Sequence, residues 1–168
     1  MTGRRSIRRF KRGSISDEVI RHGLELANAA PSAGNLQARD FIIVRQPAQK
    51  RALTEAALGQ EEIKEADLAV IFCANLERIS SYGNRGEEFY VLQDVAAAVE
   101  NFLLYIHSQG LGAVWIGAFN DAEVSRILAL PPMIRPVAIV PVGIPGEVPA
   151  RRPRRNLDDL IHREKWTD

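Results

Sequence analysis

Two spacings of apolar residues organise this chain. From Phe89 through Leu92, Ala96, Val99, Leu103 and Ile106, apolar positions recur every three or four residues, which predicts a long helix. Val91, Val95, Ala98, Phe102, Leu104 and Tyr105 fill most of its remaining faces, leaving Gln93, Asp94, Glu100 and Asn101 as the polar interruptions. A helix apolar on nearly every side is central or is covered by another chain, and so short a chain has little left to wrap it. The pattern therefore predicts a homodimer. Three shorter runs, Phe41 to Val44, Leu68 to Cys73 and Pro136 to Gly143, are apolar throughout, as strands covered on both faces tend to be. Ala113 to Ile116 is a candidate fourth strand. Ser16 reads as the N-cap of a helix that has Asp17 and Glu18 in its first turn and runs to about Ala30, before Pro31. A second short helix spans Asp121 to Leu128, capped by Asn120 or Asp121. No repeat, low-complexity tract or linker interrupts the 168 residues, so one domain over 1–168 is expected.

Charge adds what hydropathy cannot show. The formal net charge is only +1, yet Arg4, Arg5, Arg8, Arg9, Lys11 and Arg12 crowd around Ser6 with no acid among them. A second basic stretch, Arg151, Arg152, Arg154 and Arg155, lies among Pro149 and Pro153 near the other end and reads as an extended tail. On charge alone the target could be a cofactor phosphate, a nucleic acid or only solvent. If the two ends meet, their guanidinium groups repel one another unless a dianion lies between them, and arginine is well matched to phosphate oxygens. No GxxxxGK[ST] loop is present, and Gly110-Leu111-Gly112 lacks the third glycine of a dinucleotide fingerprint. The basic segments lack interleaved aromatics apart from Phe10, which argues against nucleic acid.

Other chemistries are limited in the same way. Cys73 is the lone cysteine and sits in an apolar run, so it reads as a buried core thiol. His22, His107 and His162 have no metal-like spacing, and no metal site is expected. No uninterrupted apolar run approaches the roughly 18 residues of a membrane span, and the basic start is followed by Gly13-Ser14-Ile15-Ser16-Asp17-Glu18 rather than the apolar core of a signal peptide. A cytoplasmic protein with no membrane partner is the expectation.

The loop Ala30-Pro31-Ser32-Ala33-Gly34-Asn35-Leu36-Gln37 joins a predicted helix to a predicted strand and, by composition alone, is a turn. With Arg4-Arg5-Ser6-Ile7-Arg8-Arg9-Phe10 before it, however, it resembles the nitroreductase family of FMN-dependent oxidoreductases. Those proteins open on Arg-Arg-Ser-x-Arg-x-Phe and follow one helix with Ala-Pro-Ser-x-x-Asn-x-Gln. Tyr82 to Gly86, the helix with Asp94 and Asn101, Gly110 to Phe119, and Pro141 to Pro145 match the family in order, so the resemblance covers nearly the whole chain.

The resemblance implies an α+β, three-layer fold: a central mixed, mostly antiparallel sheet flanked by helices, with the long central helix at a dimer interface. It implies a homodimer with FMN between the protomers, and transfer of hydride from NADH or NADPH through FMN to a nitroaromatic, quinone or flavin in a ping-pong cycle. Arg4, Arg5 and Ser6 match positions that hold the ribityl phosphate, aided by Arg154 or Arg155. Arg8 matches a basic residue near N1 and O2 of the isoalloxazine, where positive charge favours the reduced ring. Pro31, Ser32, Ala33, Asn35 and Gln37 match the loop that reaches the flavin from the partner subunit. Gly117 and Ala118 match backbone near N5, and Gln60 is a candidate flavin contact. Such chemistry needs no catalytic acid, base or nucleophile, and none is assigned; Tyr82, Tyr90 and His107 read as packing residues. Three departures stand out. Gln37-Ala38-Arg39 replaces the common Gln-Pro-Trp; the asparagine and lysine that often contact the flavin ahead of the middle strand have no clear match in Gly59 to Lys64, where Gln60 is the candidate; and the chain is short, so the helices that roof larger members are expected to be absent. A flavin- or anion-binding module without turnover remains the alternative.

Overall fold

A computed structural model describes residues 3–166. The elements, in order, are β1 (Phe10–Lys11), α1 (Asp17–Asn28), β2 (Arg39–Val44), α2 (Pro47–Ala56), α3 (Glu62–Glu65), β3 (Leu68–Asn75), α4 (Leu76–Ile79), α5 (Gly83–Arg85), α6 (Val91–Ser108), β4 (Gly112–Ala113), α7 (Asp121–Leu128) and β5 (Ile134–Pro145). The sheet runs β1-β5-β3-β2, with β4 also on β5, and every strand pair is antiparallel. Among the described residues a single parallel bridge, Ser6 to Ala113, makes the sheet mixed.

All eight residues of β3 are buried, which explains why that stretch is apolar without alternation. Its side chains still point to opposite faces in turn. Leu68, Val70, Phe72 and Ala74 enter a core with Ile20 and Ala27 of α1 and Val95, Val99, Phe102 and Ile106 of α6. Ala69, Ile71 and Cys73 enter a second core with Leu53 of α2, Ile63 of α3 and Val124 of α7. Helices, sheet and helices thus form the three expected layers.

Both predicted caps are present: the Ser16 Oγ accepts from Val19 N, and the Asn120 Oδ1 accepts from Glu123 N. Four predictions shift. The first helix ends at Asn28 rather than Ala30. The fourth strand is Gly112–Ala113, with Ile116 making only an isolated bridge to Ile139. The core side of α6 carries Val99, Leu103 and Ile106 of the predicted stripe together with Val91, Val95, Ala98 and Phe102, whereas Phe89 and Leu92, which begin that stripe, are 48% and 37% exposed. The π-helical turn Gly86–Tyr90 before α6 adds a residue to the turn and puts Phe89 out of phase with the helix that follows. Lastly, the continuous helical stretch from Leu76 to Ser108 contains a window of mean hydropathy 1.3, long and apolar enough to cross a membrane, although no uninterrupted apolar run is. Here its buried side packs on α1 and the sheet.

The N-terminal arm lies flat against the sheet because two glycines let it approach. A Cβ on Gly143 would fall 2.6 Å from the Phe10 ring, and one on Gly112 would fall 2.9 Å from Ile7. Ile7 N donates to the Ala113 carbonyl at 3.0 Å, and Gly146 N donates to the Arg9 carbonyl at 2.8 Å.

Candidate functional site

That docking fixes the direction of the basic arm. Ile7 turns inward and is buried, while its neighbours Ser6 and Arg8 are left on the other side. Glu147 locks the far end: one carboxylate oxygen accepts from Arg8 N at 2.6 Å and Arg9 N at 3.2 Å. The tail then returns along the arm, so the two basic clusters meet. They line a cavity of about 510 Å³ with Arg4, Arg5, Ser6 and Arg8 on one wall and Arg151, Arg152 and Arg154 on the other. Six arginines face this space, and Glu100 is the one carboxylate among its lining residues. Arg4 Nε lies 3.9 Å from Glu100, too long for a strong pair, while Arg5 folds back to donate to the Arg4 carbonyl at 2.8 Å. Arg155 does not line the cavity; of the two late candidates, only Arg154 does.

A second group stands beside the first. Arg8 Nε is 3.7 Å from Glu62, which begins α3, and Arg9 pairs with Glu65 at 2.9 Å. Just before α3, Gln60 Nε2 donates to the Ala118 carbonyl at 2.9 Å and to the Ala57 carbonyl at 3.0 Å. Asn120 N reaches the Ala56 carbonyl at 2.9 Å, so the segment carrying Gly117 and Ala118 is tied to the end of α2. Both residues are exposed, and a Cβ on Gly117 would meet nothing closer than Trp115 Nε1 at 3.7 Å. Gln60, Gly117 and Ala118 are therefore neighbours.

The 31–37 loop is not brought to this cavity within the protomer. It lies by the first turn of α6, where Ala33 N donates to Asp94 Oδ1 at 3.0 Å. Gln37 N donates to Ser32 Oγ at 3.0 Å, and the Gln37 amide nitrogen donates to Asn35 Oδ1 at 2.8 Å and also to the Asn35 carbonyl. Gly34, Asn35 and Gln37 have φ of 56°, 57° and 44°. Left-handed backbone costs an ordinary residue roughly 1–2 kcal/mol; glycine and asparagine take it readily, so it is Gln37 that the loop holds in a conformation it would not choose.

The comparisons fit this arrangement. The profile of the Nitroreductase family matches residues 1–77 and 57–144. The chain belongs to the nitroreductase family. An NADH dehydrogenase of Thermus thermophilus is 34% identical over 172 residues, covering 86% of this chain and 84% of the relative. An FMN reductase [NAD(P)H] of Bacillus subtilis is 28% identical over 180 residues, covering 99% of this chain and 72% of the relative. The solved structure of NfrA2 from B. megaterium has a TM-score of 0.91 at 29% identity, covering 98% of this chain and 72% of that one.

As a nitroreductase the chain uses residues that its motifs do not reveal. Glu147, Glu62 and Glu65 anchor the arm; the i,i+3 pair of acids before the third predicted element was the available signal. Asp94 is 5% exposed, and its buried acceptor role was visible only as a polar break in an apolar helix. Arg39 departs from the family pattern, yet nothing in the sequence shows that its guanidinium is buried. Burial lowers the Arg39 pKa from its ordinary value, and the Asp94 charge opposes that change. Burial also pushes the Cys73 thiol up to about 12, with Asp40 adding to the effect, so this thiol is inert as expected. Among the described residues no cluster of His, Cys, Asp and Glu could hold a metal.

Proposed function

We propose that this nitroreductase is an FMN-dependent oxidoreductase that takes hydride from NADH or NADPH and passes it to a small acceptor such as a nitroaromatic, quinone or free flavin, in a ping-pong cycle. Six arginines around one cavity carry this reading. So many like charges facing one another favour a bound dianion, and a phosphate monoester with a serine hydroxyl beside it fits that donor set. A volume of about 510 Å³ falls within the roughly 300–1,000 Å³ of small-molecule sites.

When bound, FMN supplies the two-electron chemistry between the nicotinamide and the acceptor. Arg4, Arg5, Ser6 and Arg154 hold its phosphate. Arg8, placed between that cavity and Glu62, contributes positive charge toward the ring, which Gln60 and the open backbone at Gly117 and Ala118 receive. Pro31, Ser32, Ala33, Asn35 and Gln37 come from the partner subunit. None of them lines the cavity within one protomer, which supports that division, as does the apolar surface of Leu92 on α6 and Leu26 on α1, each 37% exposed. The tail carries Val148, Leu157, Leu160, Ile161 and Trp166, all exposed, and these also favour a second copy. The whole of 1–168 acts as one FMN-binding domain of a cytoplasmic homodimer, with neither membrane nor nucleic acid as partner.

A ligand that binds only the folded state stabilises it by about 2.7 kcal/mol at 100 times its Kd. Flavin-free protein is expected to melt several degrees higher when FMN is added at that excess, and to sediment as a dimer. An unchanged melting temperature at saturating FMN contradicts the assignment.

A further inference from the structure

Arg39 opens β2, is 3% exposed, and spends its side chain almost wholly on backbone. Its Nη2 donates to the carbonyls of Asn28 at 2.8 Å and Ala30 at 2.6 Å; its Nη1 donates to those of Asp94 at 3.0 Å and Pro31 at 3.3 Å. Three of these four acceptors are the last residue of α1, the residue just before the 31–37 loop and the first residue of that loop. A guanidinium is the one side chain whose planar fork can serve four carbonyls, and a cation at the end of α1 also suits the negative end of the helix dipole. The carboxylate that offsets its charge, Asp94, holds the same loop from α6 through Ala33 N at 3.0 Å. Arg78 closes the loop's exit, donating to the Gln37 carbonyl at 3.1 Å and the Arg39 carbonyl at 2.9 Å.

These contacts bracket the segment whose backbone is left-handed at Gly34, Asn35 and Gln37. A buried ion that is paired through backbone rather than by direct contact is costly unless it specifies something. Two atoms show that cost: Arg39 Nε and Asp94 Oδ2 are buried and make no hydrogen bond in the structure. We propose that Arg39 and Asp94 are positioning residues, a two-sided brace that holds the 31–37 loop in the one conformation able to meet the flavin. The inference rests on the flavin reading of that loop and adds the residues that shape it. Neither side chain needs to touch the cofactor.

The test compares wild type with Arg39→Ala and Arg39→Lys in the full chain, by amide hydrogen exchange without FMN and by FMN titration. In Arg39→Ala the amides of Ala33 and Gln37 exchange at least tenfold faster while those of β3 keep their protection, and the FMN Kd rises at least tenfold. Millimolar ethylguanidinium restores both in part, because it refills the vacated fork, whereas the lysine variant recovers less, having no planar fork to offer. A merely packed side chain would not be rescued in this way. If Arg39→Ala does not fold, Asp94→Ala is read by the same two measurements with the same expected direction. Unchanged exchange at Ala33 and Gln37, or an unchanged Kd, overturns the brace. A wild type that binds no FMN overturns the flavin reading instead, and the exchange rates still decide whether the brace exists.

Discussion

Arg4→Ala is expected to weaken FMN binding by about 1.5 to 3 kcal/mol, the scale of a hydrogen bond to a charged group, or roughly 10- to 150-fold in Kd. Arg4 is well placed for so large an effect. Its side chain is one-quarter exposed, it faces the cavity that the tail closes with Arg151, Arg152 and Arg154, and its 3.9 Å approach to Glu100 is too loose to compete with a phosphate. Removing it also lowers the repulsion among the guanidinium groups of the empty cavity, so the protein without FMN loses little stability. Arg155→Ala is the matched control, since Arg155 lies outside the lining. Titration of flavin fluorescence measures both, and equal affinities for the two variants would remove Arg4 from the phosphate site.

Phe72→Ala is expected to cost the fold about 3–5 kcal/mol, the usual range for emptying a buried phenylalanine site. Phe72 is fully buried in β3 and joins the layers: its ring meets Phe41 of β2 at 5.2 Å and Phe102 of α6 at 5.4 Å, both edge to face. Loss of that ring opens a void beneath α6, the helix on which Asp94 and Glu100 are carried. For a chain of this length the change corresponds to a fall of about 6 to 20 °C in melting temperature. Denaturant unfolding measures it, and a loss under 1 kcal/mol would show that this core closes over the void.

Much of this fold was legible in the chain because the information was local. Ser16 and Asn120 cap helices through side chains whose partners lie three residues away, and the apolar runs around Val70 and Ile139 are strands buried on two faces; the run from Phe41 to Val44 is also a strand, but at the sheet edge, with Ile43 45% exposed rather than covered. α2 escaped because its sequence, Pro47–Ala56, buries Lys50 and Thr54 beside Leu53 and so carries no clean apolar stripe. Lys50 is kept there by its donation to the carbonyls of Ala66 and Asp67, a pairing set by tertiary structure. β1 has only two residues and exists because Gly143 admits the Phe10 ring. The face of α6 could not be chosen by periodicity, since apolar residues surround that helix and the π turn before it shifts the phase.

The site divides along the same line. The meeting of the two basic clusters was foreseeable from their lack of acids, and the structure brings Arg4, Arg5, Ser6, Arg8 and Arg154 together around one cavity, the proposed phosphate site. Gln60 beside Ala118 was legible only through the family resemblance. Glu147 and Arg39 were not legible at all, because each acts on backbone far away in sequence: Glu147 on Arg8 and Arg9, Arg39 on Asn28, Ala30 and Asp94. Side chains that serve remote main chain leave no spacing to read.

Everything proposed for the site depends on this nitroreductase carrying FMN and reducing it with a nicotinamide. Anaerobic addition of NADH or NADPH to the FMN-loaded protein tests it most directly. The yellow flavin absorbance is expected to bleach on mixing and to return when an acceptor such as a quinone is added. A protein that takes up FMN and bleaches with dithionite, but with neither nicotinamide, contradicts it.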